Sequence, residues 1–426
     1  MQTQDSLAST PALWRNRDFA LFWLGQSISL LGSTMTFIVA PLLVFATTHS
    51  VWQMGLVTAL NGVGSLIAGI ISGLLADRID RRRMMLVLDA LLALSYASIP
   101  FFWQMFGPLP LMLFVLAPVF GFLSIAATVA GTASIPRLVY REQLVQANSL
   151  MNGSFAVAFV LGPILAASLA AAIPGALIVL IINAASYLFS VGTLLVIRLR
   201  PAFDESPAQK EGAENGFAAL SAGTRYLLQQ PALLWVAFFR LVGYGVLSGV
   251  FDLLVYHLRQ ELGYRNVSIG LIWGLGGLGA IGGSILAPLL RKRLGFGVTF
   301  LAAVAIQGAS LFAIGMVTNR AFLVALGLGI TFGDILVQIL GSAIFQEMTP
   351  DALQGRVAAA VQTAIWVGGA VGAAASTGLA ASIGSTPPVF EALGGILLLC
   401  ALLGSLSPIR YKTPALRASP AAPRLE

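Results

Sequence analysis

The chain has 426 residues, of which 58% are hydrophobic and 10% charged, with a net charge of +7 and a mean hydropathy of +0.89. Soluble globular domains carry about a quarter charged residues, so this composition excludes a water-soluble protein and indicates one embedded in lipid. The single cysteine excludes an internal disulfide, and the two histidines lie far apart in the sequence, so we expect no metal site and no cofactor.

Long apolar stretches recur from one end of the chain to the other and predict about twelve membrane-spanning helices, spans one to twelve. The first six lie near 19–45, 51–76, 84–106, 111–136, 147–172 and 175–197. The other six lie near 233–258, 268–290, 296–316, 321–345, 357–381 and 388–407. The sequence therefore predicts an all-α membrane protein.

Polar segments divide these spans into two groups of six. The predicted parts are an N-terminal segment (1–18), an N-terminal bundle (19–197), a linker (198–232), a C-terminal bundle (233–407) and a polar tail (408–426). We expect no cleaved signal, because no short apolar region with a small-residue cleavage site precedes span one. Within the linker, the stretch from Phe217 to Leu228 mixes apolar and polar residues and predicts a short helix on the inner surface.

Lysine and arginine are distributed unevenly between the two sides of these spans. With the N-terminus in the cytoplasm, 20 of them fall on the inner side and three on the outer side, while Arg240 lies within a span. Basic residues are enriched in cytoplasmic loops, so we expect a bacterial inner-membrane protein with both termini in the cytoplasm. The positive net charge then reflects topology, and we expect no nucleic-acid partner.

The two groups of spans echo each other in sequence. The glycines at 55, 62 and 64 recur at 270, 277 and 279, always 215 residues later, and Pro136 recurs as Pro350 at an offset of 214. The shared offset predicts two parallel six-helix repeats.

The loop after span two reads Gly73-Leu-Leu-Ala-Asp77-Arg78-Ile-Asp80-Arg81-Arg82-Arg83. It resembles the signature loop of the major facilitator superfamily, Gly-x-x-x-Asp-Arg/Lys-x-Gly-Arg/Lys-Arg/Lys, with Asp80 in place of the usual glycine. The resemblance implies the major facilitator fold, and a cytoplasmic gating loop made of Gly73, Asp77, Arg78, Arg81 and Arg82. The glycine would let helices approach closely, the acid would accept hydrogen bonds at a helix N-terminus, and the arginines would hold lipid headgroups. The alternative is a basic loop that only sets topology.

Further segments resemble the branch of this superfamily that holds enterobactin exporters and macrolide efflux proteins. They are Ile135-Pro-Arg-Leu-Val139 with Gln143-Leu-Val-Gln-Ala-Asn-Ser-Leu150, and Gln346-Glu-Met-Thr-Pro-Asp351 with Gly355-Arg-Val357. The resemblance covers residues 12–408. In span five, Gly162 and Pro163 begin a segment similar to the Gly-Pro-x-x-Gly-Gly element of exporters, with alanines replacing the last two glycines. Because proline removes a backbone hydrogen bond, Pro163 predicts a kink. Span four lacks the arginine that proton-coupled drug exporters often carry.

Charged side chains inside a span are costly, so each suggests a function. Asp334 lies near the middle of span ten, with Thr331 and Gln338 on the same face. We expect Asp334 to bind a proton or a cationic substrate in a cavity. The alternative is a hydrogen bond that packs two helices together.

Span seven carries a slanted polar stripe, which is typical of a cavity-lining helix. Its members are Arg240, Tyr244, Ser248, Asp252 and Tyr256, at steps of four residues. Arg240 would pair with an acid such as Asp334, attract an anion, or extend toward the cytoplasm. Asp252 would line the cavity or pair with Arg259 nearby.

The superfamily resemblance adds further candidates, because spans one, four, seven and ten line the cavity in that fold. It implies that Gln26, Ser29 and Ser33 of span one, and Thr128 of span four, face substrate, with hydrogen bonding between helices as the alternative. Asp89, near the start of span three, is expected to pair with the basic loop.

Together these features predict a monomeric secondary transporter that works by alternating access. We expect it to export an amphiphilic small molecule, a macrolide-like drug or a siderophore, against protons, and to contact membrane lipids. No Gly-x-x-x-x-Gly-Lys-Ser/Thr loop is present, so ATP is not the energy source. The alternatives are an importer or lipid-flipping transporter of the same fold, or a membrane scaffold or receptor that transports nothing. No span holds the side-chain constellation of an enzyme.

Overall fold

The computed structural model describes residues 13–76, 80–140, 143–172, 177–198, 216–407 and 409, and these are almost entirely helical. The N-terminal half contains α1 (Arg17–Thr48), α2 (Val51–Ala76), α3 (Arg81–Phe106), α4 (Pro110–Ser134), α5 (Leu144–Ala172) and α6 (Leu177–Val196). A short helix, α7 (Gly216–Gln229), precedes the C-terminal half. That half contains α8 (Pro231–Tyr256), α9 (Asn266–Gly276), α10 (Leu278–Leu294), α11 (Phe296–Ile314), α12 (Arg320–Met348), α13 (Asp351–Ile383) and α14 (Pro387–Ser405).

Within the described residues, twelve helical segments are long and apolar enough to cross a membrane, as the sequence predicts. Span eight is formed by α9 and α10 together, which are separated at Gly277. Because the number of crossings is even, α1 begins and α14 ends on one side of the molecule. We call it the basic side, since α3 also begins there with three arginines, and we call the other the opposite side.

The repeated glycines occupy equivalent places in the two halves, which supports the two parallel repeats. A Cβ atom added at Gly64 of α2 would overlap the Pro118 carbonyl of α4, and one at Gly279 of α10 would overlap the Leu328 carbonyl of α12. Each half therefore packs its second span on its fourth span through a glycine that admits no side chain.

The halves meet along two helix pairs. The first pair joins α2 to α13, and the second joins α5 to α9. An added Cβ at Gly55 of α2 would overlap Thr377 of α13, and one at Gly270 of α9 would overlap Ala167 of α5. The repeat thus extends to the interface, where Gly55 and its equivalent Gly270 each pack against a helix of the other half.

The glycine contact inside the C-terminal half leads to a stability prediction. We expect Gly279→Ala to lower the thermal unfolding temperature of the detergent-solubilised protein, because the new methyl group meets backbone, and such overpacking costs about 1–3 kcal/mol. Gly282→Ala in the same helix is the matched control, because an added Cβ there meets nothing within 4 Å. Equal unfolding temperatures for the two variants would contradict the close packing of α10 on α12.

Candidate functional site

A cavity of about 480 Å³ lies between the two halves. Its aromatic lining consists of Phe37, Phe159, Tyr244, Phe251, Trp273 and Trp366. Its polar lining consists of Thr58, Asn61, Ser65, Ser124, Ser248, Thr331 and Asp334. Large apolar walls with a few polar groups are typical of sites that bind amphiphilic small molecules.

Asp334 places a carboxyl group in the lining of this cavity, and its role in binding a proton or a cationic substrate stays a prediction. It lies halfway along α12, is partly buried, and also lines a smaller cavity of about 110 Å³ on the basic side of the first. Gln338 Nε2 donates a hydrogen bond to Asp334 Oδ2 at 2.7 Å, and Gln307 of α11 also hydrogen-bonds the carboxyl group. The carboxyl group is therefore held by amides while it faces the cavity.

Arg240 and Tyr244 of α8 line the smaller cavity together with Asp334. The guanidinium and the carboxylate attract each other across it, and the pairing of Arg240 with Asp334 stays a prediction. The exposed side chain of Gln338 lies one turn closer to the basic side than Asp334. We call Arg240, Gln307, Asp334, Gln338 and Gln362 the polar cluster, and the exposed Gln338 lies on its basic side.

The opposite side of the cavity is closed by aromatic rings from both halves. The ring of Phe251 in α8 lies 3.8 Å from that of Phe37 in α1 and 3.9 Å from that of Trp273 in α9, measured between centroids. Phe45 and Tyr256 make another ring contact between α1 and α8, with centroids 5.3 Å apart. We call these five rings the aromatic seal.

Thr331, Gly162 and Pro163 all lie at contacts between helices. Thr331 lines the cavity, and its hydroxyl donates to the Gly276 carbonyl of α9 at 2.6 Å. A Cβ added at Gly162 would overlap Thr34 of α1, and one at Gly270 would lie 2.5 Å from the Pro163 carbonyl. The α5 helix continues through Pro163, so these two residues bring α5 close to its neighbours, and the kink stays a prediction.

Gln26 of span one shows the alternative expected for it, a hydrogen bond between helices, and Asp89 of span three bonds to a residue outside the basic loop. Gln26 does not line the described cavities, because its Nε2 donates to Ser190 Oγ of α6 at 3.1 Å. Among the described residues, Asp89 bonds to Ser190 and not to the basic loop. It is buried, and Ser190 Oγ donates to its Oδ2 at 2.7 Å. Both residues belong to a hydrogen-bond network inside the N-terminal half.

The other candidates from spans one and four have three different surroundings: Ser29 is buried, Thr128 is exposed, and Ser33 lines a second cavity. Ser29 is buried and donates to the Gln26 carbonyl, while Thr128 is exposed and donates to the Ser124 carbonyl. Ser33 lines a second cavity beside the first and shares a 2.8 Å hydrogen bond with the Tyr187 hydroxyl.

Asp252 also lines this second cavity. The predicted pairing with Arg259 is wrong, because Arg259 donates to the Tyr264 carbonyl at 3.3 Å, whereas Asp252 is buried and hydrogen-bonds Thr58 of α2. Asp252 therefore joins α8 to the other half of the molecule.

Part of the predicted gating loop can be placed. Arg81 Nη1 donates to the Ala133 carbonyl of α4 at 2.6 Å, and Arg82 Nε donates to the Leu194 carbonyl of α6 at 2.7 Å. These arginines satisfy carbonyl groups at helix C-termini, where positive charge is favourable. Asp77, Arg78 and the surroundings of Gly73 lie outside the described residues, so a gating role stays a prediction.

Sequence reasoning missed two glutamines of the polar cluster. Gln307 of α11 is buried, and Gln362 of α13 lines the smaller cavity beside Arg240. An amide in an otherwise apolar span was the available signal, since such groups need a partner in lipid.

Comparison with known proteins identifies the family. The Major Facilitator Superfamily model matches residues 22–373. The enterobactin exporter EntS of Salmonella typhimurium (strain LT2) is 27% identical over 425 residues, which is 97% of this chain and 99% of that protein. EntS of Escherichia coli O1:K1 / APEC is 26% identical over 429 residues, covering 98% and 100%.

Solved structures show the same fold at low sequence identity. The nucleoside transporter NupG aligns with a TM-score of 0.73 at 12% identity, covering 91% of this chain and 98% of that one. A bacterial homologue of the iron transporter ferroportin aligns with a TM-score of 0.70 at 17% identity, covering 94% and 100%. Because the family model matches most of its length, this chain belongs to the major facilitator superfamily and is a multi-pass membrane transporter rather than an enzyme.

Proposed function

We propose that the protein exports an amphiphilic small molecule from a bacterial cell in exchange for protons, by alternating access. The observation that carries this proposal is the carboxyl group of Asp334, midway along α12 in a cavity between the two halves. A carboxyl group there can take up a proton from one side and release it to the other, while the aromatic walls hold an apolar molecule. The relatives named as enterobactin exporters support export as the direction.

The distribution of arginines supports an orientation with the basic side in the cytoplasm. The aromatic seal then closes the cavity on the outer side, and the exposed Gln338 lies on the cytoplasmic side of the polar cluster. This is the arrangement in which an exporter would load its substrate. We propose a monomer, since one chain supplies both walls of the cavity, with the arginines of the basic side contacting lipid headgroups.

Transport in everted membrane vesicles would test the direction and the coupling. Vesicles from cells that express the protein are made acidic inside and given a labelled macrolide or a labelled catecholate siderophore. We expect accumulation of at least one compound, lost when a protonophore collapses the gradient. An importer would instead deplete the vesicles, and a scaffold or receptor would match vesicles that lack the protein. Either outcome would contradict the proposal.

A further inference from the structure

The second cavity, of about 270 Å³, lies beside the main cavity toward the opposite side. Its walls come from α1, α2, α3, α4 and α6 of the N-terminal half and from α8 of the C-terminal half. Phe37 and Phe251, which belong to the aromatic seal, line both cavities. The two spaces are therefore neighbours that share part of their walls.

Among the described residues that line this second cavity, Asp252 is the only charged one. Its side chain is 1% exposed, and Thr58 is its hydrogen-bond partner across the interface between the halves. Its other oxygen, Oδ2, makes no hydrogen bond to any described residue. A buried carboxylate with an unsatisfied oxygen is costly unless a positive charge or a proton accompanies it.

The rest of the lining indicates which positive group would fit. Aromatic rings line the same cavity as the acid, among them Phe37, Phe251 and the stacked pair Tyr96 and Phe120, whose centroids are 4.2 Å apart. Aromatic faces attract organic ammonium groups. A bare metal cation needs about six closely packed oxygen ligands, and the described residues contain no cluster of acids, histidines and cysteine that could hold one. The space and its walls therefore suit an amine attached to an apolar body.

We propose that this second cavity binds the protonated amino group of the transported molecule, with Asp252 as its anchor. The inference rests on the proposed transport function and narrows it to amphiphiles that carry a positive charge. The apolar body of such a molecule lies in the main cavity, and its amine passes Phe37 and Phe251 to reach the acid. Because Asp252 also holds Thr58 of the other half, occupancy of this site would bear directly on the contact between the halves.

A matched pair of ligands tests the proposal on the purified full-length protein. The probes are 1-naphthylmethylamine, which is cationic at neutral pH, and 1-naphthylmethanol, which has the same ring system and no charge. Calorimetry is expected to show the amine binding about tenfold more tightly, which corresponds to about 1.4 kcal/mol. Asp252→Asn is expected to remove that preference and to keep the weak binding of the alcohol.

Three outcomes would overturn the inference. The first is an unchanged preference in Asp252→Asn. The second is loss of the preference in Asp334→Asn but not in Asp252→Asn, which would place the amine in the main cavity. The third is displacement of the amine by sodium chloride, with potassium chloride as the ionic-strength control, which would indicate a site for an inorganic ion.

A measurement on the unaltered protein keeps the inference testable if Asp252→Asn fails to fold. Dicyclohexylcarbodiimide modifies carboxyl groups in apolar surroundings, and mass spectrometry locates the adduct. The amine, but not the alcohol, is expected to protect Asp252, while modification of the buried Asp89 serves as the control. Absence of protection would count against the amine site. The binding assays need no flux, so failure of vesicle transport with intact amine binding would reject the proposed function alone.

Discussion

Asp334→Asn is expected to abolish proton-driven transport while leaving the protein folded. Asparagine keeps the size of the side chain and can accept hydrogen bonds from Gln338 and Gln307, but it cannot carry a proton. In proteoliposomes, the initial rate driven by a pH gradient should fall by on the order of tenfold or more. Substrate counterflow, which needs no net proton movement, should stay within about twofold of the original protein.

Asp89→Asn is the matched control for this experiment, because it removes another buried acid that lies outside the cavity and bonds to Ser190. This variant should retain coupling to the pH gradient. Unchanged gradient-driven transport by Asp334→Asn would place the proton site elsewhere. Loss of counterflow together with coupling would show that Asp334 binds substrate or supports the structure.

A disulfide between the two halves is expected to arrest transport reversibly. A Cβ atom added at Gly62 of α2 would lie 3.2 Å from the Ala370 Cβ of α13, close to the 3.5–4.5 Å found in disulfides. Oxidation of the Gly62→Cys, Ala370→Cys pair, in a chain with Cys400→Ala, should stop substrate flux almost completely. Reduction should restore flux, because alternating access requires these helices to separate.

The matched control places a disulfide inside one half. A Cβ atom at Gly308 of α11 would lie 2.9 Å from the Leu397 Cβ of α14, and both helices belong to the C-terminal half. The oxidised Gly308→Cys, Leu397→Cys pair should transport normally. Full flux with the oxidised pair at 62 and 370 would mean that the halves do not rock apart along α2 and α13.

The number and type of helices were predictable because apolar stretches long enough to cross a bilayer leave few alternatives. The repeated glycines were informative for a similar physical reason, since a helix contact that admits no Cβ tolerates almost no substitution. Span eight is also one apolar segment, as predicted, although α9 and α10 meet at Gly277, which keeps helical backbone angles.

The site was predictable only in part. The sequence indicates how deep in the membrane a residue lies more reliably than which neighbouring helix its side chain faces. Asp334 was predicted to lie in a cavity because an acid midway along a span is costly in contact with lipid. The resemblance could not choose between substrate and a neighbouring helix for Gln26, and the position of Asp89 near Arg83 suggested the basic loop, whereas both side chains bond to Ser190. The aromatic seal gave no signal, since aromatic residues are common in any span.

The two contacts between the halves differ in length, and this has a consequence for how a substrate enters. The α2 and α13 helices touch from Gly55 and Thr377, near the opposite side, down to Gly69 and Trp366 toward the basic side. Along α5, the glycine contacts with α9 and Gly277 involve residues 159–167, in the second half of the helix, whereas Val145 near its start is 79% exposed. We therefore expect a lateral doorway on the α5 flank, through which a lipid-dissolved molecule reaches the cavity without first crossing water.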